Sequence, residues 1–222
     1  MKLLEKDGFA ILRDVFSEDE LSPLREEADR IAISAGSACV RDIRAKSSLF
    51  DSLALTLKTK DFLTPEMIPV RSILFDKTDS ENWPVPWHQD LTIAVRNHIE
   101  ADGYGPWSVK ERIPHVQPPE SLLTKMVTVR IHLDPTPAEN GALKVIPGSH
   151  LSGRLKPDQI RLHTESLAVT CSCNPGDVLL MSPLILHASS RAENPRRRRV
   201  LHFEFAPADA LPHGLEWHEA RN

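Results

Sequence analysis

Residues 174–190 read Asn174-Pro175-Gly176-Asp177-Val178-Leu179-Leu180-Met181-Ser182-Pro183-Leu184-Ile185-Leu186-His187-Ala188-Ser189-Ser190. The stretch opens on a turn, because proline presets φ and glycine takes left-handed positions without strain. Two apolar runs follow, Val178–Met181 and Ile185–Ala188, too short for helices and of the length of buried strands. The second carries His187 near its end. A histidine closing an apolar strand is usually a satisfied core or edge residue. Here Ser189 follows on the same face if the strand continues, since alternate strand residues point the same way.

The same grammar extends outward. Short β-like runs cover Val70–Phe75, Trp87–Val95, Met126–Leu133, Leu143–Ile146, Leu167–Cys173 and Val200–Phe205. Turn signals such as Glu139-Asn140-Gly141 and Pro147-Gly148-Ser149 separate many of them. Ahead of them, Phe9–Val15 reads as a strand. Ser17-Glu18-Asp19-Glu20 is a capping box, and Leu21, Leu24, Ala28, Ile31 and Ala32 recur at helical spacing up to Ala35-Gly36. A second helix is predicted over Ser48–Lys58. About eight short strands after a helical layer predict a mainly β fold with flanking α-helices: a double-stranded β-helix, or cupin-like jelly roll. The segment 96–121 has few strand signals and reads as a long loop of the kind that closes over a site as a lid. We expect one domain over residues 1–222, with 1–69 as the N-terminal strand and helices and 70–210 as the jelly-roll core.

Composition narrows the function classes. The chain has 222 residues, 41% of them apolar, and a formal net charge of -4. A chain of that size buries a sizeable core without staples. The near-balanced charge argues against nucleic acid as the main partner. No apolar run approaches the roughly 20 residues of a membrane span. The charged start, Met1–Asp7, does not resemble a signal peptide, and the odd set of cysteines (Cys39, Cys171, Cys173) fits a reducing compartment, so a cytoplasmic location is expected. The Cys171/Cys173 pair would share a strand face, but zinc sites usually want C-x₂-C and further ligands, so it reads as two small strand residues.

Trp87-His88-Gln89-Asp90 supplies the chemistry. On a strand, His88 and Asp90 would project from one face, offering an imidazole nitrogen and a carboxylate oxygen. With a third ligand from a distant strand, for which His187 is the candidate, they make a 2-His-1-carboxylate triad of the kind that leaves open positions on iron. A second H-x-D, His132-Leu133-Asp134, competes; Asp134 runs into Pro135 and reads as the start of a turn.

The run Arg196-Arg197-Arg198-Arg199 is open to a solvated or phosphate-binding reading. Downstream, Leu201, Phe203 and Phe205 share one strand face, suited to the core. The opposite face carries Arg198, Val200, His202 and Glu204. An arginine pointing with the metal ligands suits a dicarboxylate co-substrate, because guanidinium pairs bidentately with carboxylate. The face argument alone also admits Arg196.

Taken in order, these motifs resemble the phytanoyl-CoA dioxygenase (PhyH)-like family of Fe(II)/2-oxoglutarate oxygenases. The resemblance runs through Gly8-Phe9, Arg71 to Lys77, Asn82-Trp83, Trp87 to Asp90, Arg130 to Asp134, Asn140 to Leu143, Ile146 to His150, Pro175-Gly176-Asp177 and His187 to Ser189. It implies that His88, Asp90 and His187 bind Fe(II). It implies that Arg198, eleven residues after His187, binds 2-oxoglutarate, with Ser189 and Lys77 near the same co-substrate. It further implies O₂ as the oxidant and release of succinate and CO₂ as a small-molecule substrate is hydroxylated. The presence of Asp90, where halogenases of the family carry a small residue, favours hydroxylation. Trp83, Lys110, His115 and Arg130 are candidate substrate contacts, and Lys110 with His115 hints at a polar or anionic substrate. The competing readings are a divalent-metal hydrolase, a non-catalytic jelly-roll binding module and a nucleic-acid binder. The sequence leaves the oligomeric state open.

Overall fold

The computed structural model describes residues 2–57, 63–164 and 168–220. After the short helix α1 (Lys2–Asp7) comes β1 (Phe9–Leu12). Helix α2 spans Glu18–Ala35, and the Glu20 carboxylate accepts from both the backbone N–H and the hydroxyl of Ser17, at 2.8 and 2.9 Å. Gly36 ends the helix in the left-handed conformation that a Schellman-type cap demands, its N–H reaching Ala32 O. Strand β2 (Cys39–Arg41), the short helix α3 (Ile43–Lys46) and α4 (Ser48–Leu57) complete the helical layer. The last residue of the predicted second helix, Lys58, lies outside the described residues.

The body is a jelly roll of two facing antiparallel sheets. The larger sheet has the order β1-β11-β8-β13-β3-β2, where β3 is Met67–Lys77, β8 is Val127–His132, β11 is Val178–Met181 and β13 is Arg198–Pro207. The smaller has the order β10-β9-β12-β4, where β4 is Val85–His88, β9 is Leu143–Val145, β10 is Val169–Cys171 and β12 is His187–Ser189. Leu167, the first residue of the run expected to hold β10, lies outside the described residues.

One face of the large sheet is greasy. Leu201, Phe203 and Phe205 of β13 are fully buried against Leu21, Leu24 and Ile31 of α2 and Phe50 and Ala54 of α4. Each such side chain stabilises the fold by roughly 1.5–3 kcal/mol on burial. The alternation that places them there sends Arg198, Val200, His202 and Glu204 to the other face, toward the small sheet. Cys171 and Cys173 lie buried with Leu143, Val145 and Leu179, and burial pushes both thiols up to about 12. They are packing residues, and no metal-binding cluster among the described residues includes them.

Two sequence expectations change. The run Trp87–Val95 is not one strand: β4 ends at His88, and β5 (Ile93–Ala94) belongs to another sheet. Gln89 makes the break. Its buried amide donates to Gly153 O and Leu184 O at 2.8 and 2.6 Å and accepts from Leu155 N at 2.8 Å, pulling the chain out of the ladder. The segment 96–121 is also not a bare loop. It contains β6 (Trp107–Lys110) and β7 (Ile113–Val116), a hairpin that pairs through β7 with β5 in a small third sheet. Pro106 and Pro114 obscured these strands in the sequence. Glu111 and Arg112 turn the hairpin with positive φ, at 51° and 69°. Helix α5 (Glu120–Leu123) and helix α6 (Pro157–Thr164) fill connections. No helix among the described residues is long and apolar enough to cross a membrane.

Candidate active site

His88 and His187 face each other as ladder partners on β4 and β12, their ring centroids 4.1 Å apart. Asp90 follows β4 rather than extending it, so the shared-face argument is not what brings it in. The brace at Gln89 and a backbone bond from Asp90 N to Pro183 O, 2.9 Å, place it instead. Its carboxylate oxygens lie 3.8 Å from His88 Nε2 and 3.6 Å from His187 Nε2. One ligand atom from each of the three residues falls within 4.8 Å of the others, the one such cluster among the described residues.

The imidazoles are held in one tautomer. His88 Nδ1 lies 2.8 Å from Pro86 O, and His187 Nδ1 lies 3.0 Å from Ile185 O. A carbonyl can only accept, so Nδ1 carries the proton in both rings and the Nε2 lone pairs are free to ligate. Burial drives the His187 pKa down to about 4, against the pull of Asp90, so the ring is neutral at physiological pH. Burial raises the pKa of Asp90, but positive charge on His187, His202 and His88 once acid protonates them, and on Arg71 at every pH, outweighs burial and keeps it below its ordinary value. Two neutral nitrogens and one hard anionic oxygen fit Fe(II).

The triad opens on a cavity of about 210 Å³ between the sheets. Arg198, Ser189, Lys77, Trp83 and Arg130 line it, as the sequence led us to expect, together with His132 and Thr136. Arg198 is buried on β13 opposite Lys77 and donates to Gly141 O. Gly141 has φ 69°, and a Cβ there would lie 2.7 Å from Ser190 O, so only glycine fits this turn beside the arginine. Among the described residues no carboxylate pairs with Arg198, Lys77 or Arg130. Lys77 Nζ donates to Trp83 O at 2.6 Å and sits 4.4 Å from the Trp83 ring centroid. Burial, then Arg198 and Arg130, lowers its pKa to about 8. This end of the cavity is a buried positive pocket, suited to an anion.

The arginine run resolves by alternation. Arg197 makes a two-pronged pair with Asp76, at 3.0 and 2.7 Å, and Arg199 makes one with Asp134, at 2.8 Å on both prongs. Asp29 bridges the two, 2.6 Å from Arg197 and 2.7 Å from Arg199. Arg196 is exposed, with its backbone N–H on Asn140 Oδ1. Of the four arginines only Arg198 lines the cavity. The competing H-x-D also dissolves: Asp134 belongs to Arg199, and His132 Nδ1 meets Thr136 Oγ1 at 3.0 Å.

Lys110 and His115 are not brought to the cavity wall. They belong to the β6–β7 hairpin, where Lys110 Nζ reaches Thr92 Oγ1 at 3.4 Å and His115 Nδ1 lies 2.9 Å from Ile113 O. The wall includes residues that sequence reasoning missed: Cys39 and Arg41 on the unrecognised β2, and Arg71, Ile73 and Phe75 on β3. The period-two alternation of β3 with Lys77 would have found the last three. Glu204, the carboxylate a hydrolase could use as base, is already taken by Arg71 at 3.0 Å and faces His202 Nε2 at 3.3 Å.

Comparison with known proteins agrees with this geometry. The mouse peroxisomal phytanoyl-CoA dioxygenase is 23% identical over 94% of this chain and 68% of its own length. Among solved structures, HygX from Streptomyces hygroscopicus, with nickel and 2-oxoglutarate bound, superposes with a TM-score of 0.69 at 16% identity, over 94% of this chain and 86% of that one. EctD from S. alaskensis, with 2-oxoglutarate and 5-hydroxyectoine, superposes with a TM-score of 0.72 at 18% identity, over 100% of this chain and 80% of that one. The model of the phytanoyl-CoA dioxygenase (PhyH) family matches residues 4–200, and the chain belongs to that family.

Proposed function

We propose that the protein is an Fe(II)- and 2-oxoglutarate-dependent dioxygenase that hydroxylates a C–H bond of a small molecule, working as one catalytic domain over residues 1–222. The observation that carries this reading is the convergence of His88, Asp90 and His187 beside an arginine, Arg198, buried without a counter-ion. His88 Nε2, His187 Nε2 and the Asp90 carboxylate hold the metal. Arg198 takes the distal carboxylate of 2-oxoglutarate, with Ser189 and Lys77 lining the same end. The 2-oxoglutarate bound in two proteins of the same fold, HygX and EctD, supports this assignment. Bound iron supplies the activation of O₂, coupled to decarboxylation of 2-oxoglutarate to succinate and CO₂ and to oxidation of the substrate.

The chain's own part is orientation and exclusion. Pro86 O and Ile185 O keep both ligand rings turned with Nε2 inward. Phe75, Leu143 and Val200 form apolar wall between the charged groups, which limits water and strengthens each ionic contact. Asp90 would supply the carboxylate ligand to the metal, where a small residue would leave room for a halide. Anaerobic titration with Fe(II) and 2-oxoglutarate, following the visible metal-to-oxoacid charge-transfer band, tests the proposal. The band forms in the wild type and is lost in Asp90→Ala. Folded wild-type protein without a band, or an Asp90→Ala variant that makes succinate at the normal rate, overturns it.

A further inference from the structure

The cavity face of the large sheet carries more positive charge than this function uses. Arg71 is answered by Glu204 at 3.0 Å and Arg41 by Glu111 at 3.1 Å. Lys77 is held by Trp83, and Arg198 is assigned to the co-substrate. Arg130 is left. It projects from β8 opposite His202, donates Nη1 to His202 Nδ1 at 3.0 Å and lies 5.3 Å from the Phe75 ring centroid. Its Nε is buried and has no acceptor among the described residues. Because the guanidinium must donate, His202 Nδ1 accepts, and His202 is a neutral ring that adds no negative charge.

The charges do not cancel without another anion. A divalent metal, Asp90, a 2-oxoglutarate dianion and Arg198 sum to zero, and so do Arg71 and Glu204. Lys77 and Arg130 remain as cations with no carboxylate partner among the described residues; Lys77 has the Trp83 carbonyl and ring, whereas Arg130 has only the neutral His202, an expensive state for a buried charge. Nor does it duplicate Arg198. Its ladder partner His202 lies four residues beyond Arg198 on β13, roughly 13 Å along the strand. Between the two arginines, His132 presents a buried Nε2 that has no partner among the described residues. The cavity, about 210 Å³, lies below the roughly 300–1,000 Å³ common for ligand sites and must also admit the 2-oxoacid, so what enters beside it is small.

We propose that Arg130 anchors an oxyanion of the primary substrate, which places that substrate among small carboxylates or phosphate esters. This rests on the oxygenase reading above and gives that site its substrate class. The test uses the Fe(II)-loaded protein, saturated with 2-oxoglutarate and free of oxygen. It is titrated by calorimetry and by the charge-transfer band with propanoate, benzoate and inorganic phosphate, against propanamide and benzamide as uncharged matches. At least one oxyanion binds saturably and perturbs the band, the amides do not, and the carboxylate and phosphate arms tell the two sources apart. Arg130→Met weakens that binding by about tenfold or more while leaving 2-oxoglutarate affinity within about threefold, and Arg130→Lys retains part of it. The proposal is overturned if no oxyanion saturates, if the amides bind equally, or if Arg130→Met loses 2-oxoglutarate as Arg198→Met does. If the wild type forms no band, the oxygenase reading fails by itself. Calorimetry of the same oxyanions on metal-free wild type and Arg130→Met still reports on Arg130, and equal binding by the two sinks this proposal.

Discussion

Arg198→Met should make the ligand-free protein more stable and the co-substrate complex much weaker. Burial, and then the neighbouring Arg130, depresses the Arg198 pKa from 12.5 to about 10. A cation whose folded pKa lies below its unfolded value is disfavoured by folding at every pH where it is charged in both states. The depression amounts to about 3 kcal/mol of destabilisation at neutral pH. Methionine keeps most of the stem's packing and loses the bond to Gly141 O, worth about 1 kcal/mol. The net gain of about 2 kcal/mol corresponds to a rise of about 4–8 °C in Tm for a chain of this length. The same change removes the partner of a buried carboxylate, a loss of about 2–5 kcal/mol, or a factor of about thirty to several thousand in Kd. Scanning calorimetry of the metal-free protein reads the first effect, and anaerobic charge-transfer titration reads the second. A variant that melts at or below the wild type, or binds 2-oxoglutarate within about threefold of it, refutes the reasoning.

Lys77, with its pKa lowered to about 8, loses its charge as pH rises through that value. Co-substrate affinity should fall by about tenfold between about pH 7 and pH 9 in the wild type and stay flat in Lys77→Met, measured by the same titration. Glu219 is buried and accepts from Ser72 N and Ser72 Oγ at 2.7 and 2.6 Å. Burial outweighs those bonds and raises its pKa from 4.5 to about 7. Its folded pKa lies above the unfolded one, so the stability it contributes is present below about pH 4.5 and is lost as pH rises through about 7. Amide-exchange protection in residues 215–220, taken relative to the base-catalysed intrinsic rate, should therefore be lower at about pH 8 than at about pH 6, a difference that Glu219→Gln removes. Phe203→Ala, which empties a fully buried position on β13, should cost about 3–5 kcal/mol in urea denaturation without changing the m-value.

Much of this was legible because period two is hard to disguise. Leu201, Phe203 and Phe205 on one face of β13 announced both the core and, by exclusion, the cavity face. His187 was less plain, since a histidine closing an apolar run is usually a satisfied core or edge residue, and the order of the motifs singled it out. Asp90 does lie beside both histidines, but the sequence placed it there on the strength of a strand that ends two residues earlier. What positions it, the three amide bonds of Gln89 and the contact with Pro183 O, joins parts of the chain far apart in sequence and leaves no local trace. The β6–β7 hairpin was hidden by Pro106 and Pro114, whose usual meaning is that a strand does not run there. Cys39 and Arg41 were invisible for a different reason: β2 is three residues long and shows no alternation to count.

The clasping of Arg197 and Arg199 by Asp76, Asp29 and Asp134 makes the start of β13 a self-indexing joint. A slip of one residue would turn two paired arginines into the cavity and expel the unpaired one, so mispairing here is penalised from both sides of the sheet at once. The crossing over residues 190–196 is tied down separately, by Ala192 on Asn82, Glu193 on Glu139 and Arg196 on Asn140. The register of β13 and the path of the crossing are thus fixed by two different sets of partners, and Arg198 takes its aim from where the two meet.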